Sequence, residues 1–242
     1  MAIGILIMAV TAAAALAGLT GFGFNLLSVP LLVLVIEPHA AVVLSLMLGI
    51  LTSGIMLTSS RLRSQVRWRS VSMLLIAAAA GLPVGSVLFA KIRPLDLQLV
   101  VSGLSLAYVV ITVARVNPAS VRSRAFGPFA GFASGLLSAS TGFSGPPAIA
   151  YAYSQRWPSA QLRATLTSYI LAITVLTVSL LALEGQLTFG LLQMSLALSP
   201  GVVIGILAGQ MIFRRLPSQH FQTLVLILLA VMGVANLAAA LH

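Results

Sequence analysis

The chain contains no cysteine, which excludes disulfides, thiolate metal sites and thiol redox chemistry. Acidic side chains are nearly as scarce. Glu37, Asp96 and Glu184 are the only three, each at the end of an apolar run. The histidines are His39, His220 and His242. No helical pattern carries paired His or carboxylate residues at metal-ligand spacing, and no Ser/His/Asp set falls at one depth. The expectation is a protein that is not an enzyme, with no catalytic residue, no metal ligand and no cofactor. Charged residues make up 7% of the chain, against about 25% in soluble domains. There is no ATP-binding motif and no polar stretch long enough for a soluble domain to host one.

What is present is apolar sequence: 60% hydrophobic residues and a mean hydropathy of +1.11, the composition of a polytopic membrane protein. A crossing helix takes about 20 mostly apolar residues. Six stretches qualify: Ala40 to Ser60, Ser70 to Ala90, Leu95 to Ala114, Ala164 to Leu183, Leu187 to Phe213 and Phe221 to Leu241. The first helix, Ala2 to Leu19, lacks the basic start and small-residue cleavage site of a signal peptide and is expected to stay in the mature protein. The net charge of +10 comes from arginines in short loops between spans, where they set orientation and do not bind nucleic acid.

Two runs differ from simple spans. Thr20-Gly21-Phe22-Gly23-Phe24-Asn25 and Thr141-Gly142-Phe143-Ser144-Gly145-Pro146-Pro147 each interrupt one. Ala2 to Leu19 is followed by Leu26 to Ile36, and Phe126 to Ser140 by Ala148 to Ser154, second pieces too short to cross alone. Each is read as a hairpin that enters and returns. Other features keep a spacing near 120 residues. Pro38-His39-Ala40 matches Pro158-Ser159-Ala160, Gln65 to Trp68 matches Gln186 to Phe189, and Gly81 and Gly85 match Gly201 and Gly205. The shared order indicates a duplication. The fold class expected is an all-α polytopic membrane protein made of two halves, each a broken hairpin plus three transmembrane helices. Residues 1–116 form the first repeat, 117–125 a cytoplasmic linker and 126–242 the second repeat.

Charge decides the relative orientation. With the loop Arg61 to Arg69 cytoplasmic and each hairpin an even number of crossings, eleven of the 13 basic residues fall inside. Lys91 and Arg93 remain outside with the three acids. Matching loops then lie on opposite faces, so the halves form an inverted repeat and both termini are non-cytoplasmic.

Backbone groups released at a break cannot face hydrocarbon, so a break at membrane depth lines a polar cavity or is buried in protein. Paired breaks in matching halves are the pattern of a transporter's substrate site. A second helical piece starting just after the glycines aims free N–H groups and a positive helix end at the midplane, which favours an anion. The candidate substrate-binding residues are Thr20, Gly21, Gly23, Phe24, Asn25, Thr141, Gly142, Ser144 and Gly145. Glycine permits close backbone approach, Asn25 adds an amide donor, and Thr141 and Ser144 add hydroxyls. Phe22, Phe143 and Arg163 are gate candidates, Phe22 and Phe143 in equivalent slots and Arg163 near the start of the span facing the second break. His39 beside Glu37 forms a second polar pair at the outer mouth.

At these residues the sequence resembles the sulfite exporter TauE/SafE family, also called the 4-toluene sulfonate uptake permease family. The resemblance runs through the Gly-rich first break with Pro30-Leu31-Leu32, the segment Pro38 to Ser45, the Trp68 helix start, and a second half repeating the plan with TGFSGPP and Pro158 to Thr165. Where that family often has a glycine-rich run, this chain carries Phe24 and Asn25, which reshape the pocket. The resemblance implies a bacterial inner-membrane protein moving sulfur-containing or organic anions such as sulfite or an organosulfonate. The expected function is a secondary transporter working by alternating access, with a small anion and the lipid bilayer as partners and a homodimer in prospect. A passive anion channel and a non-transporting membrane scaffold are the alternatives. The orientation has a direct test: a reporter active only in the cytoplasm, fused to His242, is expected to stay silent, and a strong signal contradicts the assignment.

Overall fold

In a bilayer every backbone polar group is satisfied within the protein, so long apolar runs become helices. A computed structural model of the chain describes residues 2–20, 23–58, 60–114, 126–213 and 218–241. It contains eleven helices and no strand among the described residues. They are α1 (Ala2–Thr20), α2 (Phe24–Val33), α3 (Pro38–Met56), α4 (Ser60–Arg63), α5 (Trp68–Lys91), α6 (Pro94–Val113), α7 (Phe126–Thr141), α8 (Gly145–Ser154), α9 (Ser159–Leu183), α10 (Phe189–Phe213) and α11 (Ser218–Leu241). Helices α3, α5, α6, α9 and α10 are long and apolar enough to cross a membrane, which makes this a multi-pass membrane protein. The expected sixth span appears as α11, whose apolar stretch among the described residues, Val225–Ala240, is shorter. The expected linker 117–125, with Arg122 and Arg124, lies outside the described residues, as does His242.

The starts of α3 and α9 fall earlier than hydropathy alone places them, because the helices extend beyond their apolar windows. Pro38 opens α3 at its first position, and Glu37 Oε2 accepts the Ala40 N–H at 2.9 Å, which satisfies one of the donors that a helix start leaves open. Burial pulls the Glu37 carboxyl upward. The N–H groups of Ala40 and His39 and the His39 side chain outweigh it and hold the group below the usual carboxylate range. Pro158 similarly precedes α9, which begins at Ser159 and takes Arg163 into its second turn.

Helix α5 is the ruler of the molecule. At its C-terminal end the Phe89 carbonyl meets His39 Nε2 at 3.1 Å, the two rings stack edge to face at 4.8 Å, and His39 Nδ1 lies 2.8 Å from Glu37 Oε1. At its N-terminal end the Arg67 N–H donates to Thr165 Oγ1 at 3.0 Å and Arg67 Nε to Gln161 Oε1 at 2.9 Å. The same guanidinium sits over the Trp157 ring. The first turns of α3 and α9 are therefore about 33 Å apart along α5, at 1.5 Å per residue.

The two hairpins open toward opposite ends of this ruler. Phe126, which starts α7, lies 6.4 Å ring to ring from Tyr151 near the end of α8, and Tyr151 in turn packs on Trp157. The pair α7–α8 thus enters and returns at the N-terminal end of α5. In the other half, α2 leads into α3 at the opposite end. Helix α1 runs beside α10 in the same direction, with Gly201 against Ile7 and Thr11, and Gly209 against Ala15.

These pairs cross between the halves: α1 lies on α10 and α7 lies on α5. Small residues permit backbone-to-backbone contact in a bilayer, where dispersion replaces the hydrophobic drive. A methyl added at Gly81 would run into the Phe132 carbonyl, at Gly135 into Ala78 and at Gly209 into Ala15. Two separate apolar cores result. One joins α1, α2, α3, α6, α10 and α11 around residues such as Val10, Leu32 and Val202, and also takes in Phe89 of α5, Leu181 of α9 and Phe143. The other joins α5, α7, α8 and α9 around Leu74, Ala148, Leu166 and Tyr169. In the first core Asn236 Nδ2 donates to the Pro30 carbonyl at 2.8 Å, and Gln98 Nε2 donates to the Asn236 carbonyl at 3.1 Å. Helix α2, with Pro30 inside it, is thereby tied to α6 and α11.

Close approach makes a sharp mutational contrast. Overpacking costs about 1–3 kcal/mol and more where only backbone could yield, so Gly135→Val and Gly205→Val are expected to cut the yield of folded protein and lower its melting temperature. Gly103→Val, where an added methyl meets nothing within 4 Å, is expected to be near neutral. Equal tolerance at all three positions would contradict the packing described.

Candidate functional site

Both breaks are made by a glycine in the left-handed region, φ 94 at Gly23 and φ 78 at Gly142, a conformation that costs other residues energy. Gly142 ends α7, its N–H donating to the Ser138 carbonyl at 3.0 Å. Gly23 precedes α2, whose first turn leaves the N–H groups of Phe24, Asn25 and Leu26 without an intrahelical acceptor.

The tips of the hairpins meet. Gly23, Phe24 and Asn25 from the first break and Phe143, Ser144 and Gly145 from the second line one cavity, closed below by Gly49, Thr52, Ser53 and Met56 of α3. Asn25 and Ser144, 119 residues apart in sequence, thus face the same space. Its volume of about 20 Å³ holds one water molecule. The walls come from both apolar cores: Phe24, Met56 and Phe143 belong to the first, and Ile149 and Ile170 to the second.

Asn25 is the chemically active side chain of this space. It is buried, with 6% of its surface exposed, and among the described residues its Nδ2 has no hydrogen-bond partner. Its Oδ1 takes a long bond of 3.4 Å from Ser45 Oγ, which is itself in close contact with Ser28 Oγ. A methyl on Gly49 would strike the Asn25 amide, so the absent side chain there is what gives the amide its place. A buried amide donor without an acceptor among the described residues, beside the first-turn N–H groups of α2 and a positive helix end, is an environment for an anionic or acceptor atom.

The second break contributes differently from its sequence expectation. Ser144 N–H donates to the Gly142 carbonyl at 3.1 Å, and the Ser144 carbonyl accepts from Ser134 Oγ, so that N–H does not point to a ligand. Pro146 and Pro147 have no N–H, leaving Gly145 as the one donor of the opening of α8. Thr141 turns its hydroxyl back to the Leu137 carbonyl at 2.9 Å, and neither it nor Gly142 lines the cavity. The second break is a wall, with the buried Phe143 ring against the space, and the first break carries the donors.

Arg163 does not line the cavity. Its guanidinium Nη2 donates to the Gly18 carbonyl at 2.9 Å, placing a cation at the negative C-terminal end of α1 and fixing the helix that leads into the first break. Gly21 and Phe22 lie outside the described residues, as does the Thr20 side chain. Sequence reasoning missed the floor of the site. Gly49, Thr52 and Ser53 recur on one face of α3 at helical spacing, a small and polar stripe in an otherwise apolar helix, and that stripe was the available signal. Among the described residues no group of three His, Asp or Glu side chains could hold a metal ion.

A family model, Sulfite exporter TauE/SafE, matches residues 6–236, nearly the whole chain. No curated protein and no solved structure matches it.

Proposed function

Because the chain belongs to the sulfite exporter TauE/SafE family of membrane transporters, we propose that it is a secondary transporter of a small sulfur-containing or organic oxyanion, with the cavity between the two breaks as its substrate site. The observation that carries this reading is the buried Asn25 amide, unpartnered at Nδ2, at the N-terminus of α2 and facing the second break. In this reading the anion takes hydrogen bonds from Asn25 Nδ2 and the first-turn N–H groups of α2, with Gly145 opposite and no buried arginine in contact. Phe143 and Phe24 close the space on either side and set the size of the guest.

Volume and packing support alternating access. A cavity for one water is too small for an oxyanion of four or more heavy atoms, so substrate enters only when the hairpin tips part. The boundary between the two apolar cores runs through the cavity, and separately packed bodies are the units that rock in such transporters. An inverted repeat supports the same motion. The first turns of α3 and α9, matching positions in the two halves, are held at opposite ends of α5, and the hairpins open toward opposite ends. We assign the protein to a bacterial inner membrane with both termini on the non-cytoplasmic side and Arg163 as the residue that steadies the first tip during opening.

A hydrogen bond to a charged group contributes about 1.5–3 kcal/mol, so Asn25→Ala is expected to weaken anion binding roughly tenfold or more. Asn25→Asp, isosteric but anionic, is expected to abolish it. Binding is measured by the thermal shift of purified protein with a panel of sulfite, sulfonates and carboxylates, and transport by flux in proteoliposomes. Unchanged affinity and flux in both folded variants would place the site elsewhere.

A further inference from the structure

The arginine-rich end of the molecule carries a second feature, independent of the substrate cavity. A groove of about 790 Å³ runs between α5 and α9. One end is formed by Arg63, Trp68 and Arg69, and the other by apolar side chains such as Leu75, Leu171 and Val175. Arg63, Trp68 and Arg69 are exposed, and among the described residues no hydrogen bond or ion pair engages either guanidinium. The charge around them is of one sign. Arg67, Arg156 and Arg163 lie at the same end, where α9 begins, and all three acids of the chain sit at the opposite end. Glu37 lies at the C-terminal end of α5, Asp96 opens α6 just after it, and Glu184 follows the last turn of α9. The positive N-terminal end of α5 adds to the field. Ser168, buried at 6% exposure and with its hydroxyl unpartnered among the described residues, also lines the groove.

Cations with an indole at one end and a dry slot at the other fit one class of molecule. We propose that this groove binds an anionic phospholipid. Its phosphate rests between Arg63 and Arg69, the glycerol region lies at Trp68, and one acyl chain runs along the α5–α9 slot. Charge complementarity selects an anionic over a zwitterionic headgroup, aromatic rings of Trp favour the interfacial depth, and the apolar slot selects a chain over a free phosphate. Helix α9 also supplies Ile170 to the substrate cavity, and α5 carries α7 of the second hairpin, so an occupant wedged between them bears on the body that moves.

The test uses the two tryptophans of the chain. In full-length Trp157→Phe protein, Trp68 is the only tryptophan, and its quenching is read in phosphatidylcholine vesicles doped with acyl-brominated phosphatidylglycerol or acyl-brominated phosphatidylcholine. Brominated phosphatidylglycerol is expected to quench at a roughly tenfold lower mole fraction, given two arginines near the headgroup. Arg63→Gln with Arg69→Gln is expected to erase the preference, and Arg63→Lys with Arg69→Lys to keep part of it. Ala172→Phe, which fills the slot, is expected to erase it as well. Native mass spectrometry of the wild-type protein, with retained phosphatidylglycerol adducts lost in the double glutamine variant, gives the same reading without Trp157→Phe. Equal quenching by the two lipids, a preference that survives the double glutamine variant or the filled slot, or displacement by inorganic phosphate alone would overturn the proposal. None of these outcomes depends on the anion carried by the substrate site.

Discussion

Everything in this molecule follows from the rule that a backbone amide in hydrocarbon must find its partner inside the protein. Two helices break that rule locally at Gly23 and Gly142, and the rest of the fold is arranged to make the breaks tolerable. Broken ends tip inward and face each other, where they are shielded from lipid by α3 and α9. Glycine and alanine stripes on α1, α5, α7 and α10 bring the long arms into backbone contact, so the hairpins are held largely by their outer arms. Arg163 then closes the end of α1, where the last carbonyls would otherwise lack a donor.

The two breaks are alike in backbone and unlike in chemistry. Gly23 is followed by Phe24 and Asn25, residues with donors, while the second opening runs into Pro146 and Pro147, which have none. Ser134 and Ser138 pin the second break to its surroundings, Ser138 Oγ lying 2.7 Å from Thr177 Oγ1, whereas the Asn25 amide retains an unused donor. The donors at the seam thus come from the first break and the enclosing ring from the second. The exchange of arms packs α1 on α10 and α7 on α5, so each core contains helices from both halves of the chain, and in the proposed transport cycle the seam at the tips opens without separating those pairs.

Much of this was legible in the residues. Long apolar runs, the Gly-rich interruptions and the matched Pro38 and Pro158 fixed the helices and both hairpins, because span length and backbone satisfaction leave few alternatives in a bilayer. Helix starts were misjudged by a few residues where caps at Glu37 and Pro158 carry the helix outside its apolar window. The pairing of α1 with α10 and α7 with α5 was not legible: small residues announce close contact but not the partner. The inward turn of the Ser144 N–H was not legible for a related reason. Which N–H is free depends on the turn the chain adopts, and the inward hydrogen bond to Gly142 is a property of that turn. Pro146 and Pro147 already signalled a shortage of donors at α8. The floor of the site on α3 was visible only as a stripe of Gly49, Thr52 and Ser53, whose orientation awaited the packing.

The central claim is that breaks from separate halves meet in one buried space. The absence of cysteine makes it directly measurable. Asn25→Cys combined with Ser144→Cys, treated in native membranes with a short bifunctional thiol reagent, is expected to cross-link within one chain and to be protected by the transported anion. The pair Asn25→Cys with Gly103→Cys, the latter in open space on α6, is expected to remain unlinked. Failure of the first pair to link above the second, in protein that has reached the membrane and folded, would contradict the account.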